Sequence, residues 1–156
     1  MHPRAAEFAE RAREEYGVDP EIEEFPEGTK TAADAAEAVG CPVAAIASSL
    51  AFDVDGELVV CVTSGANRVE ESALAERFDA EAVSMADADR IKAQLGWSIG
   101  GVPPFVHDTD VPVVIDADLF EHETVWAAAG TPTAVFPIDP AAIADHAGAD
   151  RIDVTG

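Results

Sequence analysis

The sequence has little positive charge, few cysteines and no long apolar run. Nine lysine and arginine residues stand against 31 aspartate and glutamate residues, and the formal net charge is −22 over 156 residues. The two cysteines, Cys41 and Cys61, form no CxxC pair, which argues against a disulfide framework and a zinc site. The longest apolar runs are too short to cross a bilayer, and residues 1–17 lack the apolar segment of a signal peptide. We therefore expect a cytoplasmic protein with no membrane partner.

The negative charge is spread along the whole chain and does not form one acidic tail. Hydrophobic residues make up 48% of the sequence and keep regular patterns, so we expect the chain to fold. The cytosol of a halophile explains such a composition. At molar salt the Debye length falls to about 3 Å, which removes most of the repulsion between exposed carboxylates. The net charge therefore neither excludes an RNA substrate nor supports one.

Periodicity predicts both helices and strands. Apolar positions at helical spacing predict helices over residues 4–16, 32–39, 70–78, 86–95 and 139–146. Thr31 and Asp34 form a capping-box-like pair at the start of the second helix, with Asp in place of the usual Glu or Gln. Apolar runs predict strands over residues 44–54, 57–63, 81–85, 111–116, 124–129, 133–138 and 151–154, the first two joined by an Asp55-Gly56 turn. Strands and helices mingle without regular βαβ alternation. We therefore expect one domain over residues 1–156, of mixed α/β (α+β-like) class, with a mainly antiparallel mixed sheet and helices packed outside it.

The motifs of common catalytic chemistry are missing. The sequence contains no P-loop, no GxGxxG and no GxSxG. Its four histidines are isolated from one another, so we expect no metal and no cofactor. His107 closes a charge-poor loop, where both a substrate contact and a surface or capping role are open. Asp116 ends a predicted strand, where structural capping of the next turn is its default role.

The loop at residues 97–107 (WSIGGVPPFVH) contains no carboxylate. Gly100 and Gly101 let main-chain N–H groups come close to a ligand, and Pro103 and Pro104 stiffen the loop so that these donors stay aimed. Fixed donors of this kind can stabilise an oxyanion. A plain structural turn between a helix and a strand is the alternative, and these residues alone leave both open.

Five segments in this order resemble the YbaK/EbsC family of aminoacyl-tRNA editing domains, which is related to the insertion domain of bacterial prolyl-tRNA synthetase. They are TAADAAEAVGCPVAAIASSLAF, VVCVTSGANRVEESALAERF, GWSIGGVPPFVH, VPVVIDADL and VWAAAGTPTAVFPI. The resemblance covers about residues 25–154 and implies a compact α/β domain whose sheet curves around a small pocket. It implies hydrolysis of the ester between a mischarged small amino acid and tRNA. In the family, main-chain amides near a GxxxP motif, matched here by residues 100–104, hold the ester. The terminal 2′-hydroxyl of the tRNA assists, so no protein nucleophile is required.

The same resemblance implies which residues form the pocket. Gly100 and Gly101 would serve the reaction, and the residues implied to contact the substrate are Phe25, Ser48, Ser49, Ser64, Gly65, Pro104, Asp116, Ala128, Ala129 and Gly130. A turn is the alternative role for Ser64 and Gly65, and tight strand packing is the alternative for residues 128–130.

Two positions depart from the family pattern. Many members carry a lysine where this chain has Ser48, and the motif often continues with glycine where this chain has Val106. Lys30 is a candidate for a replacement cation, although an exposed lysine outside the site explains it equally well.

The leading hypothesis is a freestanding aminoacyl-tRNA deacylase, with tRNA and an aminoacyl-tRNA synthetase as partners. The missing lysine favours an alternative, an inactive family member that holds an aminoacyl or nucleotide group near a synthetase. A hydrolase for another ester or amide is weaker, because no motif positions a base or nucleophile.

Overall fold

The computed structural model describes residues 2–25 and 31–155, which build one mixed sheet with helices packed against it. The helices are α1 (Pro3–Tyr16), α2 (Ala32–Val39), α3 (Glu71–Phe78), α4 (Ala88–Leu95) and α5 (Pro140–Ala147). The strands are β1 (Glu23–Glu24), β2 (Ile46–Val54), β3 (Glu57–Ser64), β4 (Val83–Met85), β5 (Val113–Asp116), β6 (Val125–Ala128), β7 (Ala134–Ile138) and β8 (Asp150–Ile152). The predicted fold class is confirmed.

The sheet runs in the order β1-β7-β6-β2-β3-β5-β8, and β4 pairs separately with β2. The pairs β1–β7, β2–β3, β2–β4 and β6–β7 are antiparallel, whereas β2–β6, β3–β5 and β5–β8 are parallel. Within the described ranges the antiparallel pairs are thus the more numerous. β2 is the centre of the arrangement, because it pairs with three other strands.

The β2–β3 hairpin forms at the predicted turn. Asp55 and Gly56 both have positive φ, 49° and 92°, as a tight two-residue hairpin requires. The Asp53 carboxylate accepts a hydrogen bond of 2.9 Å from the Gly56 N–H and fixes the turn. All eight residues of β3 pair with β2, from Val54 opposite Glu57 to Ala47 opposite Ser64.

Capping residues set the start of α2 and α4. Thr31 accepts a hydrogen bond from the Asp34 N–H at 3.1 Å, and the Asp34 carboxylate accepts one from the Thr31 N–H at 3.3 Å. This reciprocal pair confirms the predicted capping box. The helix predicted from residue 86 begins two residues later, because the Asp87 side chain caps it by accepting from the Arg90 N–H.

Buried residues fall into separate clusters on the two faces of the sheet. The largest lies under α1 and contains an aromatic group in which Phe8 contacts the rings of Trp97, Phe105 and Phe136. A second cluster lies under α3, and a third, smaller one holds α2 against Ile46 and Trp126.

The strand β1 was not predicted. Residues Glu23 and Glu24 are exposed and show no apolar alternation, and they form a strand only because they pair with Ala134 and Val135 at the sheet edge.

Candidate functional site

Two different strands pair with the two ends of one edge of β2. Ile46 and Ala47 pair with β6, and residues 52–54 pair with β4 on the same side of the strand. Between these two partners, residues 48–51 pair only with β3. We call this unpaired stretch of strand edge the fork.

The pairing register fixes which main-chain groups face the fork. The Ile46 carbonyl accepts from the Gly65 N–H at 2.8 Å on the β3 side, whereas the Ala51 carbonyl accepts from the Ala86 N–H at 3.0 Å on the opposite side. Because successive residues of a strand direct their N–H and C=O groups to opposite edges, the odd-numbered residues face the fork. Ala47 lies beside β6 and Ala51 beside Ala86, so Ser49 is left with its N–H and C=O directed into the open stretch.

A pocket of about 190 Å³ lies at the fork. Its walls come from β2, β6, the start of α2, α4 and the loop that follows α4. The lining residues are Thr31, Ala32, Ala35, Ile46, Ala47, Ser48, Ser49, Leu50, Ala51, Met85, Ile91, Ile99, Gly100, Val102, Trp126, Ala128, Pro132 and Val135. Within the part of the chain that the structure describes, none of these is charged. The pocket therefore suits an uncharged group.

Two apolar side chains stand exposed at the pocket. Met85 is 51% exposed and Ile99 is 53% exposed, and both belong to the lining. A wider groove of about 620 Å³ shares Met85 and Leu50 with the pocket and continues past Arg68 and Glu70. A ligand larger than the pocket could therefore extend into this groove.

The two glycines of the loop have different roles. Gly100 lines the pocket with φ 86°, and its N–H has no acceptor among residues 2–25 and 31–155. The Gly101 N–H instead donates to the Ser98 carbonyl at 2.9 Å. A Cβ at Gly101 would lie 2.7 Å from the Cα of Thr131, so glycine is required there for close packing of two loops. The prediction that both glycines offer free donors is therefore corrected: Gly101 does not.

Ser48 and Ser49, two of the residues implied to contact the substrate, both line the pocket. Successive side chains of a strand point to opposite faces, so the two hydroxyl groups lie on different sides of the sheet. The Ser49 hydroxyl oxygen is buried, and within the described residues it has no hydrogen-bond partner. A buried hydroxyl without a partner costs about 1–3 kcal/mol, so the fold retains an unfavourable polar atom beside the pocket.

Asp116 lies outside the pocket lining and organises a turn. Its carboxylate is 1% exposed and accepts hydrogen bonds from the Ser64 N–H (3.0 Å), the Thr63 hydroxyl (3.2 Å), the Asn67 amide (2.9 Å) and the Asp118 N–H (2.9 Å). This geometry is that of the default capping role expected from the sequence, and the substrate contact implied by the resemblance stays a prediction. Three of these bonds tie the end of β3 to the end of β5, and the fourth, from the Asp118 N–H, caps the turn that follows β5.

Ser64 and Gly65 also belong to this turn and do not line the pocket. The Ser64 hydroxyl donates to the Ala44 carbonyl at 2.7 Å and accepts from the Ala66 N–H at 3.3 Å. A Cβ at Gly65 would lie 2.6 Å from the Val43 carbonyl oxygen, so the chain passes there too closely for a side chain.

Pro104 and His107 belong to the loop at residues 97–107 but do not line the pocket. Pro104 is buried away from the lining, and the His107 Nε2 lies 2.8 Å from the Pro103 carbonyl oxygen. Burial lowers the pKa of His107, so the ring stays neutral at pH 7 and donates this bond. His107 is not among the residues that line the pocket, and its contact with a substrate stays a prediction.

The remaining candidate residues differ in whether they line the pocket. Ala128 lines the pocket, whereas Ala129 is fully buried and Gly130 packs against the Arg4 carbonyl and the Trp97 ring. Phe25 packs in the α2 cluster with Trp126, behind the pocket wall. Lys30 lies outside the described residues.

Within the described ranges no group of three or more His, Cys, Asp or Glu side chains could hold a metal ion. A helix with the length and apolarity to span a membrane is likewise absent from these residues. Burial raises the pKa of Cys61 to about 12, so its thiol stays protonated at neutral pH.

A family model described as an aminoacyl-tRNA editing domain matches residues 26–146. The chain belongs to this aminoacyl-tRNA editing family. The resemblance read from the five sequence segments is thereby confirmed for the editing domain.

Solved and curated relatives of the editing domain agree with this assignment. A structure described as "Crystal structure of a putative trans-editing enzyme for prolyl tRNA synthetase" has a TM-score of 0.94 and 31% identity, over 100% of this chain and 99% of that chain. A proline–tRNA ligase of Lysinibacillus sphaericus (strain C3-41) is 36% identical over 69 residues, and YwhH of Bacillus subtilis (strain 168) is 30% identical over 100 residues. These matches cover 44% and 62% of this chain, but only 12% of the ligase and 63% of YwhH.

Several pocket residues of the editing domain were missed by the sequence reading. Trp126, Pro132, Ile91 and Met85 line the pocket, but none of them has an ionisable or nucleophilic side chain that would mark it as functional in the sequence. Ile99 gave the one usable signal, because it is a bulky apolar residue inside the glycine-containing loop that the sequence had already singled out.

Proposed function

We propose that the protein hydrolyses the ester between a mischarged small amino acid and the 3′ end of a tRNA, acting as a freestanding trans-editing enzyme. The observation that carries the proposal is an uncharged pocket of about 190 Å³, with unpaired main-chain donors at its wall, in a chain of the editing family. The aminoacyl group would occupy the pocket, and the terminal nucleotides would extend into the wider groove past Arg68.

The reaction requires little chemistry from side chains. Water attacks the ester carbonyl carbon, the bond to the ribose oxygen breaks, and that oxygen takes a proton to leave free amino acid and deacylated tRNA. An aminoacyl ester is already activated, and the neighbouring 2′-hydroxyl of the tRNA can assist in proton transfer. What the protein must supply is a fixed position for the ester and donors for the developing oxyanion. The free N–H of Gly100 and the N–H of Ser49 at the fork are suited to that task.

The composition of the pocket supports a mechanism without a protein nucleophile. Its described lining contains the hydroxyl groups of Thr31, Ser48 and Ser49 but no histidine or carboxylate that could activate them as nucleophiles. Both cysteines lie elsewhere, and burial raises their pKa values. An uncharged wall also avoids placing a negative charge beside the oxyanion, which would oppose its formation.

The proposal is tested by deacylation assays on tRNA charged with Ala, Cys, Ser, Thr or Pro, in molar KCl because the acidic composition favours a halophilic protein. We expect release of at least one small amino acid well above spontaneous hydrolysis. Ala128→Leu should reduce turnover by filling the pocket, whereas Ala141→Leu, at an exposed position on α5, should leave it unchanged. Turnover of none of the five charged tRNAs would reject the proposal.

One observation favours a second candidate, a catalytically inactive domain that binds an aminoacyl or nucleotide group near a synthetase. Ser48 stands where the resemblance implies a lysine, and no described lining residue carries a positive charge. Ser48→Lys separates the two candidates. The substitution should raise the activity of a domain that lost its lysine, and it should lower the activity of an enzyme adapted to serine.

A further inference from the structure

The fork leaves a slot for one residue in the sheet. Among the odd-numbered residues of β2 that face this edge, Ala47 pairs with Ala127 of β6, and the Ala51 carbonyl is taken by the Ala86 N–H. Among residues 2–25 and 31–155, Ser49 is the one residue between them whose N–H and C=O both lack a partner, and the Ala51 N–H on the same edge has no acceptor either. The N–H and C=O of Ser49 point the same way, so they offer one donor and one acceptor side by side.

Such a donor and acceptor match the backbone of a single amino acid. In a hydrogen-bonded antiparallel pair, two opposite residues exchange both of their N–H···O=C bonds. An aminoacyl ester retains both groups, because its α-amino group donates and its ester carbonyl accepts. A parallel arrangement would divide the bonds between two residues and cannot be made by one amino acid.

We propose that the aminoacyl group binds as a one-residue strand opposite Ser49 and completes the interrupted sheet. This inference rests on the proposed function. The α-amino group donates to the Ser49 carbonyl, and the Ser49 N–H donates to the ester carbonyl. This second bond polarises the carbonyl that water attacks, and it assigns to Ser49 the donor role that Gly101 cannot fill.

The same pairing sets the direction of the substrate side chain. Side chains of directly opposite residues lie on the same face of a sheet, and Ser49 shares its face with Ala47 and Ala51. These alanines belong to the same buried cluster as Ile91 and Val102, which also line the pocket. A small apolar side chain fits between them, whereas a charged one would be buried without a partner.

The inference makes recognition depend on an α-substituent that donates a hydrogen bond. A binding experiment tests this independently of catalysis, with 3′-amino-3′-deoxyadenosine acylated by L-alanine or by propionic acid. The two analogues have nearly the same size, but only the first has an α-donor. We expect the alanyl analogue to bind about tenfold more tightly, in line with the loss of one hydrogen bond. Equal dissociation constants, or no binding of either analogue, would overturn the inference.

A turnover experiment separates this inference from the proposed function. tRNA is acylated with L-alanine, L-lactate or propionate, and each rate is divided by the rate of spontaneous hydrolysis. Alanyl and lactyl esters, which keep an α-donor, should be accelerated at least about tenfold more than the propionyl ester. Equal acceleration of all three would overturn the pairing and leave the deacylase intact. A binding contrast without any turnover would support the pairing and reject the deacylase.

A pair of proline variants examines the protein side of the slot. Ser49→Pro removes the N–H that faces the fork and leaves the β2–β3 ladder unbroken, whereas Leu50→Pro removes an N–H directed at Cys61 of β3. Ser49→Pro should keep the native circular dichroism spectrum and bind the alanyl analogue about tenfold more weakly, and Leu50→Pro should unfold the protein. Native-like binding by folded Ser49→Pro would contradict the inference, and the ligand comparison in the wild-type protein decides it if Ser49→Pro does not fold.

Discussion

Replacing Val106 by glycine should give a more stable protein than replacing it by alanine, the reverse of the usual order. Val106 is 1% exposed and has φ 67°, in the left-handed region that β-branched residues rarely adopt. The backbone is held there because the Val106 carbonyl accepts the Trp97 Nε1–H at 2.7 Å. This is the position at which the family pattern often has glycine.

The magnitude follows from comparing alanine with glycine, since both substitutions lose the valine methyl groups. A left-handed conformation costs an L-residue about 1–2 kcal/mol relative to glycine. Glycine costs about 0.4–1 kcal/mol through the greater freedom of the unfolded chain. The net difference should therefore favour Val106→Gly over Val106→Ala by about 0.5–1 kcal/mol.

Val102 provides the matched control, because it is 3% exposed in the same loop and is not among the described residues with positive φ. There the alanine variant should be the more stable, by about 0.5–1 kcal/mol. The four free energies of unfolding are measured by urea denaturation in molar KCl. The effect of glycine on the unfolded chain is the same at both positions. The free energy of unfolding of the glycine variant relative to the alanine variant should therefore be about 1–2 kcal/mol higher at position 106 than at position 102. If glycine were the less stable choice at both positions, the argument from strain at Val106 would be refuted.

Three further predictions concern single side chains. Ser49→Ala should raise the free energy of unfolding by about 1 kcal/mol because it removes an unpartnered hydroxyl, whereas Ser64→Ala should lower it by about 1 kcal/mol; equal signs in urea denaturation would contradict this. Cys61 should resist a thiol reagent at pH 8 in the native protein and react only after denaturation, because burial raises its pKa to about 12; rapid native modification shown by mass spectrometry would refute this. Burial lowers the pKa of His107 in the folded protein, so the unfolded chain takes up a proton first as the pH falls below about 6.5. The free energy of unfolding should therefore fall between pH 7 and pH 5 more steeply for the wild type than for His107→Gln. Parallel pH curves of the two proteins would exclude a buried neutral ring.

Most of the fold could be predicted because local signals agreed with the tertiary structure. The Asp55-Gly56 turn and the Thr31 and Asp34 capping box each depend on residues close in sequence, and both formed as expected. β1 could not be predicted, because Glu23 and Glu24 have no strand pattern and pair only through a distant partner, β7. The order of strands also depends on such long-range pairing.

The candidate site was predictable only in part, for a similar reason. Ser48, Ser49, Gly100 and Ala128 line the pocket, and their contact with a substrate stays a prediction. Gly101 does not offer a free donor, because its N–H is bonded to Ser98 within a turn. The presence of a glycine in the sequence does not reveal such a bond. The fork itself has no sequence signature, since it arises from where β6 ends and β4 begins along β2.

The fork also affects how the protein avoids aggregation. An unpaired strand edge is normally a template on which other polypeptides add strands, and natural sheets protect such edges. Here the open stretch is bounded at one end by β6 and at the other by β4, so that within the described ranges only Ser49 and the N–H of Ala51 lack a partner on it. A second chain needs several consecutive bonds to dock as a strand, and the flanking strands prevent this. The protein can thus keep backbone hydrogen-bonding groups open to a small ligand while denying them to another protein strand.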